Sequence, residues 1–168
     1  SVRWTGAETG AVASGGSQVW GRTGLDRLLT GDFAPQVCWL IVPAFAGIVL
    51  GVMATRQASR LSIRRATVIV FALWLVMTWL VFSFMKGIFH EYYTVALAPA
   101  VSVLASIAAV VLVVSAGTSL SRIMTPVLVL GNALCVTGII VSNGFLPRLI
   151  PLILVCGITG SVIIVLLN

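Results

Sequence analysis

Between Lys86 and Tyr93 the chain reads Lys-Gly-Ile-Phe-His-Glu-Tyr-Tyr, gathering a cation, the only histidine, a carboxylate and both tyrosines into eight positions. Lys86 supplies a point charge suited to a phosphate. His90 can donate a hydrogen bond or exchange a proton near neutral pH. Tyr92 and Tyr93 each pair a ring that can stack on a sugar or an isoprenoid with a hydroxyl donor. Such a set suits an anionic ligand held at a membrane boundary. The plainer reading stands beside it: lysine and tyrosine are ordinary interface anchors, and Lys86 with Glu91 can form a weak surface pair. Arg27 and Arg148 can add charge, although each also reads as a plain interface residue. Asp26 and Asp32 are the candidates for a base, although a helix cap or a solvated acid is the better explanation of each. No nucleophile elbow, phosphate-binding glycine loop or metal-ligand spacing occurs, so no catalytic residue, metal site or cofactor is assigned.

The elements that must position this cluster follow from composition. Of 168 residues, 60% are hydrophobic and 8% charged, with a mean hydropathy of +1.16. A chain of this size cannot hide so much apolar surface inside its own core and still present a wettable exterior. A soluble enzyme, a nucleic-acid binder and a disordered tail are excluded, and an integral membrane protein remains. Ten Lys and Arg against four Asp and Glu give a net charge of +6. These basic residues sit between apolar runs, as in proteins that use charge to orient themselves in a bilayer. Cys38, Cys135 and Cys156 lie inside apolar runs and read as small core residues.

Residues 1–36 are polar and glycine-rich, with Trp4 and Trp20 spaced through them. They read as an extracytoplasmic segment near the headgroups, in which the stretch 24–29 is either the start of a short amphipathic turn or a solvated loop with an incidental leucine pair. The chain starts at Ser1, which suggests a piece of something longer. Five charge-free apolar runs follow at 37–55, 66–85, 93–116, 124–141 and 149–167. A hydrocarbon layer about 30 Å thick needs roughly 20 helical residues, and only helices or closed barrels satisfy every backbone group in lipid. Because the runs are continuous rather than alternating, the expected fold is all-α: a polytopic transmembrane bundle of five helices. The small residues of the third run, among them Ala96, Ala100, Ala105 and Ala108, should let another helix approach closely. Asn132, midway along the fourth run, should bond a neighbouring helix. The loop 56–65 carries Arg56, Arg60, Arg64 and Arg65 without an acid, and so belongs in the cytoplasm. The turn 117–123, which holds Arg122, and Asn168 then lie on the same side. The His90 junction, residues 142–148 and all four carboxylates (Glu8, Asp26, Asp32 and Glu91) fall outside.

The stretch from Phe82 to Ala100 resembles a motif of the protein-mannosyltransferase and aminoarabinose-transferase-like membrane enzymes, glycosyltransferase family 39, in their actinobacterial and bacillar branch. The family pattern runs close to FS-x-x-x-G-x-FHPYY-x-x-x-LAPA. Upstream, Gly24-Leu25-Asp26-Arg27-Leu28-Leu29 and Trp39-Leu40-Ile41-Val42-Pro43-Ala44 are similar to its G-x-x-RLF and WLLPAA segments. The likeness covers most of the chain but only the later half of such an enzyme, and the family's catalytic aspartate loop has no counterpart. It implies transfer of a sugar from a polyprenyl-phosphate donor at the outer membrane face. His90, Tyr92 and Tyr93 would line the donor cavity with Lys86 near the phosphate, and a preceding membrane segment or partner chain would supply the base. Glu91 stands where the family usually has proline, which adds a negative charge where a phosphate must bind. The alternative is a truncated, non-catalytic relative acting as a membrane scaffold or accessory subunit. A transporter or channel would want ionisable groups at mid-span, and the five runs contain none. The orientation is testable with single thiols in a cysteine-free background. A membrane-impermeant maleimide is expected to reach Glu91→Cys only from outside and Ser59→Cys only from the cytosol.

Overall fold

A computed structural model of the protein describes residues 23–86, 89–144 and 146–167. Glu8, Trp4, Trp20 and Asn168 lie outside the described residues, as do Gly87 and Ile88 of the cluster and the side chain of Asp32. The described chain is helical without strands. Its helices are α1 (Ala34–Val37), α2 (Ile41–Thr55), α3 (Ile63–Phe84), α4 (Ala98–Val114), α5 (Ser119–Asn143) and α6 (Ile150–Leu167). With their flanking 3-10 turns they give five helices long and apolar enough to cross a membrane: Ala34–Thr55, Ile63–Phe84, Glu91–Val114, Ser119–Asn143 and Pro147–Leu166. This is a multi-pass membrane protein.

Proline explains how three of the spans begin. A proline ring clashes with the carbonyl four residues earlier and offers no N–H to it, so α geometry fails in the preceding turn. Pro43 lies behind the 3-10 turn Cys38–Leu40, Pro99 behind Glu91–Leu97 and Pro151 behind Pro147–Leu149. All three irregular starts lie at the end of the bundle opposite the arginine loop. At the arginine end the helices are plain. Helix α5 begins earlier than the apolar run suggests, because the Thr118 hydroxyl accepts the Ser121 N–H at 3.3 Å and caps it. Arg122 therefore sits in the first turn of α5 and not in the connecting turn. Gly117 at φ +84° and Gly144 at φ +63° make the reversals before and after α5.

The tightest contact joins α2 to α4. A Cβ on Gly47 would fall onto the Leu104 carbonyl group, 2.6 Å from its carbon, and one on Gly51 would stand 2.9 Å from Val68 and 3.1 Å from Ile107. Gly47 and Gly51 thus form a small-residue seam on α2, matched on α4 by the buried Ala100, Leu104 and Ala108. The close approach expected of the third run is present, and the glycines that permit it are on the first. Helix α3 packs against both α2 and α4, while α6 lies along α5. The Ser161 hydroxyl of α6 donates to the Pro126 carbonyl of α5 at 3.1 Å. The main core gathers Leu28, Ala34, Cys38, Leu75, Trp79 and Phe89 at the irregular end, and a smaller one around Leu50, Ala108 and Leu112 lies toward the arginine end. Gly47→Val should force α2 off α4 and cost about 3 kcal/mol or more, read as a lowered Tm in detergent. Gly138 has open space around its Cβ position, so Gly138→Ala should hold or slightly raise the Tm through helix propensity.

Candidate functional site

The last carbonyls of a helix have no partner inside it. At the end of α3 they are met by the segment that precedes the first span. The Gly24 N–H donates to the Ser83 carbonyl at 2.9 Å. One nitrogen of Arg27, Nη1, donates to the carbonyls of Phe82 at 3.1 Å and Met85 at 2.9 Å. In return the Trp79 indole N–H of α3 donates to the Leu25 carbonyl at 3.2 Å. Cation and helix C-terminus also attract through the helix dipole. Arg27 was expected as a plain interface residue, yet it is only 3% exposed. Burial lowers its pKa from the ordinary value, and the guanidinium stays charged.

The same guanidinium lies over the ring of Phe89, 4.5 Å from its centroid, and 5.6 Å from that of Phe33. Both lie within cation–π range. Phe89 is 1% exposed. It touches Phe33 at 4.7 Å, Phe82 at 5.2 Å and Tyr93 at 6.0 Å between centroids. A charge at the membrane edge is thereby covered by rings on one side and helix carbonyls on the other.

On this base stands the polar cluster. His90 is extended, with φ −84° and ψ 145°, and Glu91–Leu97 then wind as a 3-10 helix. The Tyr93 N–H donates to the His90 carbonyl at 3.1 Å. The Thr94 hydroxyl donates to the Glu91 carbonyl at 2.6 Å. The Trp74 indole of α3 ties the turn down by donating to the Ala96 carbonyl at 3.0 Å. The imidazole of His90 stacks on Tyr92, with centroids 5.2 Å apart and planes 11° from parallel. Tyr93 stands edge-on to both, 4.7 Å from Tyr92 and 5.7 Å from His90. Tyr92 is 64% exposed, whereas Tyr93 is half-buried against the main core. The result is an aromatic ledge with one open face.

The structure brings His90, Tyr92 and Tyr93 together, and among the described residues Lys86 makes no side-chain hydrogen bond or ion pair with them. Lys86 and Glu91 are both exposed, and among the described residues they form no ion pair with each other. Arg148 is exposed in the turn before α6, and Asp26 is exposed at the start of the Arg27–Leu29 turn. Asn132 departs from expectation: its side-chain oxygen is buried without a hydrogen-bond partner among the described residues. Cys38 behaves as a core residue whose thiol donates to the Leu28 carbonyl at 3.1 Å, while Cys156 faces outward from α6. Sequence reasoning missed the roles of Arg27 and Phe89. The available signal was an arginine just ahead of an apolar run, since such a charge must find carbonyls or rings.

No known family, curated protein or solved structure matches the chain. The ledge is therefore read on its own geometry. Arg27→Met should release the end of α3 and lower stability by about 3–6 kcal/mol, the worth of two hydrogen bonds from a charged donor. Arg27→Lys should recover only part of this, because an ammonium lacks the flat face that lies on Phe89. Thermal unfolding in detergent measures both.

Proposed function

We propose that the His90–Tyr92–Tyr93 ledge binds the head of a polyprenyl-phosphate-linked sugar at the extracytoplasmic face, as part of a membrane glycosyltransferase. The observation that supports this reading is the open stacked face of His90 and Tyr92 at the start of a span. A sugar ring laid on it meets aromatic surface and hydroxyl donors together. The lipid chain can then run down the bilayer beside the span, and the flexible Lys86 can swing to the phosphate. Among the described residues no carboxylate stacks on the ledge, and the transfer step draws its base from a further membrane segment or a partner chain. Displacement at the sugar carbon, with the lipid phosphate leaving, inverts the configuration there.

One observation favours a second reading, a non-catalytic scaffold or accessory subunit. Arg27, which lies over Phe89, is already committed to the Phe82 and Met85 carbonyls, and the exposed Glu91 repels a phosphate. The two readings differ in what the ledge binds. In the donor reading, Tyr92→Ala weakens binding of a polyprenyl-phosphate sugar to the full chain in micelles about tenfold. Lys86→Gln weakens it and flattens its salt dependence, while Glu91→Gln strengthens it. Sugar transfer by the complete protein falls in parallel for His90→Ala and Tyr92→Ala. Binding and transfer indifferent to all four substitutions would leave the scaffold reading in its place.

A further inference from the structure

A groove of about 540 Å³ opens on the side of the bundle away from the ledge, with α4 and α5 as its walls and Pro43 of α2 and Ile164 of α6 at its borders. It is lined by Ala105, Ala109 and Ala116 of the α4 stretch and by Ser121, Thr125 and Asn132 of α5. Pro43, Ala105 and Asn132 lie near the middle of their spans, whereas Ala116 and Ser121 lie at the arginine end. The groove therefore covers one leaflet, from mid-depth to the arginine-side boundary. At 1.5 Å per residue, the run from Ala105 to Ala116 is about 16 Å long.

What fills it is decided by the apolar lining and by the charge at its mouth. Its lining between mid-depth and the boundary is almost wholly apolar, with Ala105, Ala108, Ala109, Leu112 and Val113 on one wall. Such a lining takes a hydrocarbon chain. A void of this size facing a bilayer does not stay empty, because its lining would forfeit dispersion contacts on one side.

The mouth selects the headgroup. Arg122 follows Ser121 at the boundary and is exposed, and its guanidinium makes no hydrogen bond or ion pair among the described residues. Arg56, Arg60, Arg64 and Arg65 lie at the same end, and residues 56–65 and 115–123 contain no carboxylate. At chain-glycerol depth stand two hydroxyls: Ser121, which donates to the Leu112 carbonyl at 3.0 Å, and Thr125, 3.3 Å from it. We infer that this groove is a site for an anionic phospholipid of the arginine-side leaflet, with one acyl chain between α4 and α5 and the phosphate on Arg122. Basic pockets between transmembrane helices select anionic headgroups by this charge match. The inference is independent of what the ledge binds.

The test is mass spectrometry of lipid retained by the full chain after mild extraction from phosphatidylcholine bilayers containing a minority of phosphatidylglycerol. Phosphatidylglycerol is expected about fivefold above its share in the bilayer, the effect of one arginine near the surface. Arg122→Gln should abolish the enrichment while the amount of retained lipid stays the same. Ala109→Phe, an exposed position on the groove wall, should remove the retained lipid of both kinds. Should that variant not fold, Arg122→Gln decides alone, since its side chain packs on nothing described. Equal retention of the two lipids by the unaltered chain, or enrichment that survives Arg122→Gln, overturns the inference. So does a second copy of the chain cross-linked within the groove.

Discussion

Arg27 is the residue whose placement the rest of the irregular end depends on. A buried guanidinium must find acceptors, and a helix end must find donors; at the close of α3 each need answers the other. Because Arg27 precedes the first span by only a few residues, this contact fastens the segment 24–33 across the end of α3. The Gly24 and Trp79 hydrogen bonds repeat the tie on either side. The face of the guanidinium that makes no carbonyl contact lies on Phe89, so the residue before His90 is held by the same charge. One side chain thus links the approach to the first span, the end of the second and the start of the third.

The two ends of the bundle are built on different principles. The ledge end is held by hydrogen bonds between segments and by rings, with 3-10 turns imposed by Pro43, Pro99 and Pro151. The arginine end is held chiefly by helix packing, through the Gly47 and Gly51 seam and the Leu50–Ala108–Leu112 cluster, with the Ser121–Leu112 hydrogen bond tying α5 to α4. In lipid no hydrophobic force drives helix to helix, so such packing must come from close approach. Between α4 and α5 the approach is looser, and the groove is the space left over.

The spans were legible in the sequence because length and hydropathy are properties of a run, and the bilayer fixes both. Their ends were less so. Helix α5 extends past Met124 to Ser119 because one hydroxyl, Thr118, caps it, and a cap depends on single atoms rather than on a run of residues. The seam was half legible: the alanines of the third run pointed to a close neighbour, while the four-residue spacing of Gly47 and Gly51 carried the same signal unnoticed. Lys86, His90, Tyr92 and Tyr93 were grouped by adjacency in the chain, yet adjacency does not say which side chains converge. Asn132 shows the limit of an argument from cost. An amide at mid-span ought to bond a neighbour, but here α4 faces it with alanines, which offer no side-chain acceptor or donor.

That Tyr92 points outward and Tyr93 inward follows from how tightly the chain is wound before Pro99. The buried positions run Thr94 and Leu97, three apart, then Ala100 and Val101, and then Leu104, Ala108 and Leu112, four apart. The change marks the passage from 3-10 to α winding. A 3-10 turn advances about 120° per residue against about 100° for an α-helix, so over the five residues from Tyr92 to Leu97 the two differ by roughly 100°. Wound as an α-helix, this stretch would rotate the buried stripe onto a different side of the tyrosine pair and turn the ledge toward another face. Pro99 denies Val95 its α-type partner and so favours the tighter winding. The exposure of the aromatic face is therefore set by a residue that touches no ligand, seven positions down the chain from the ring it presents.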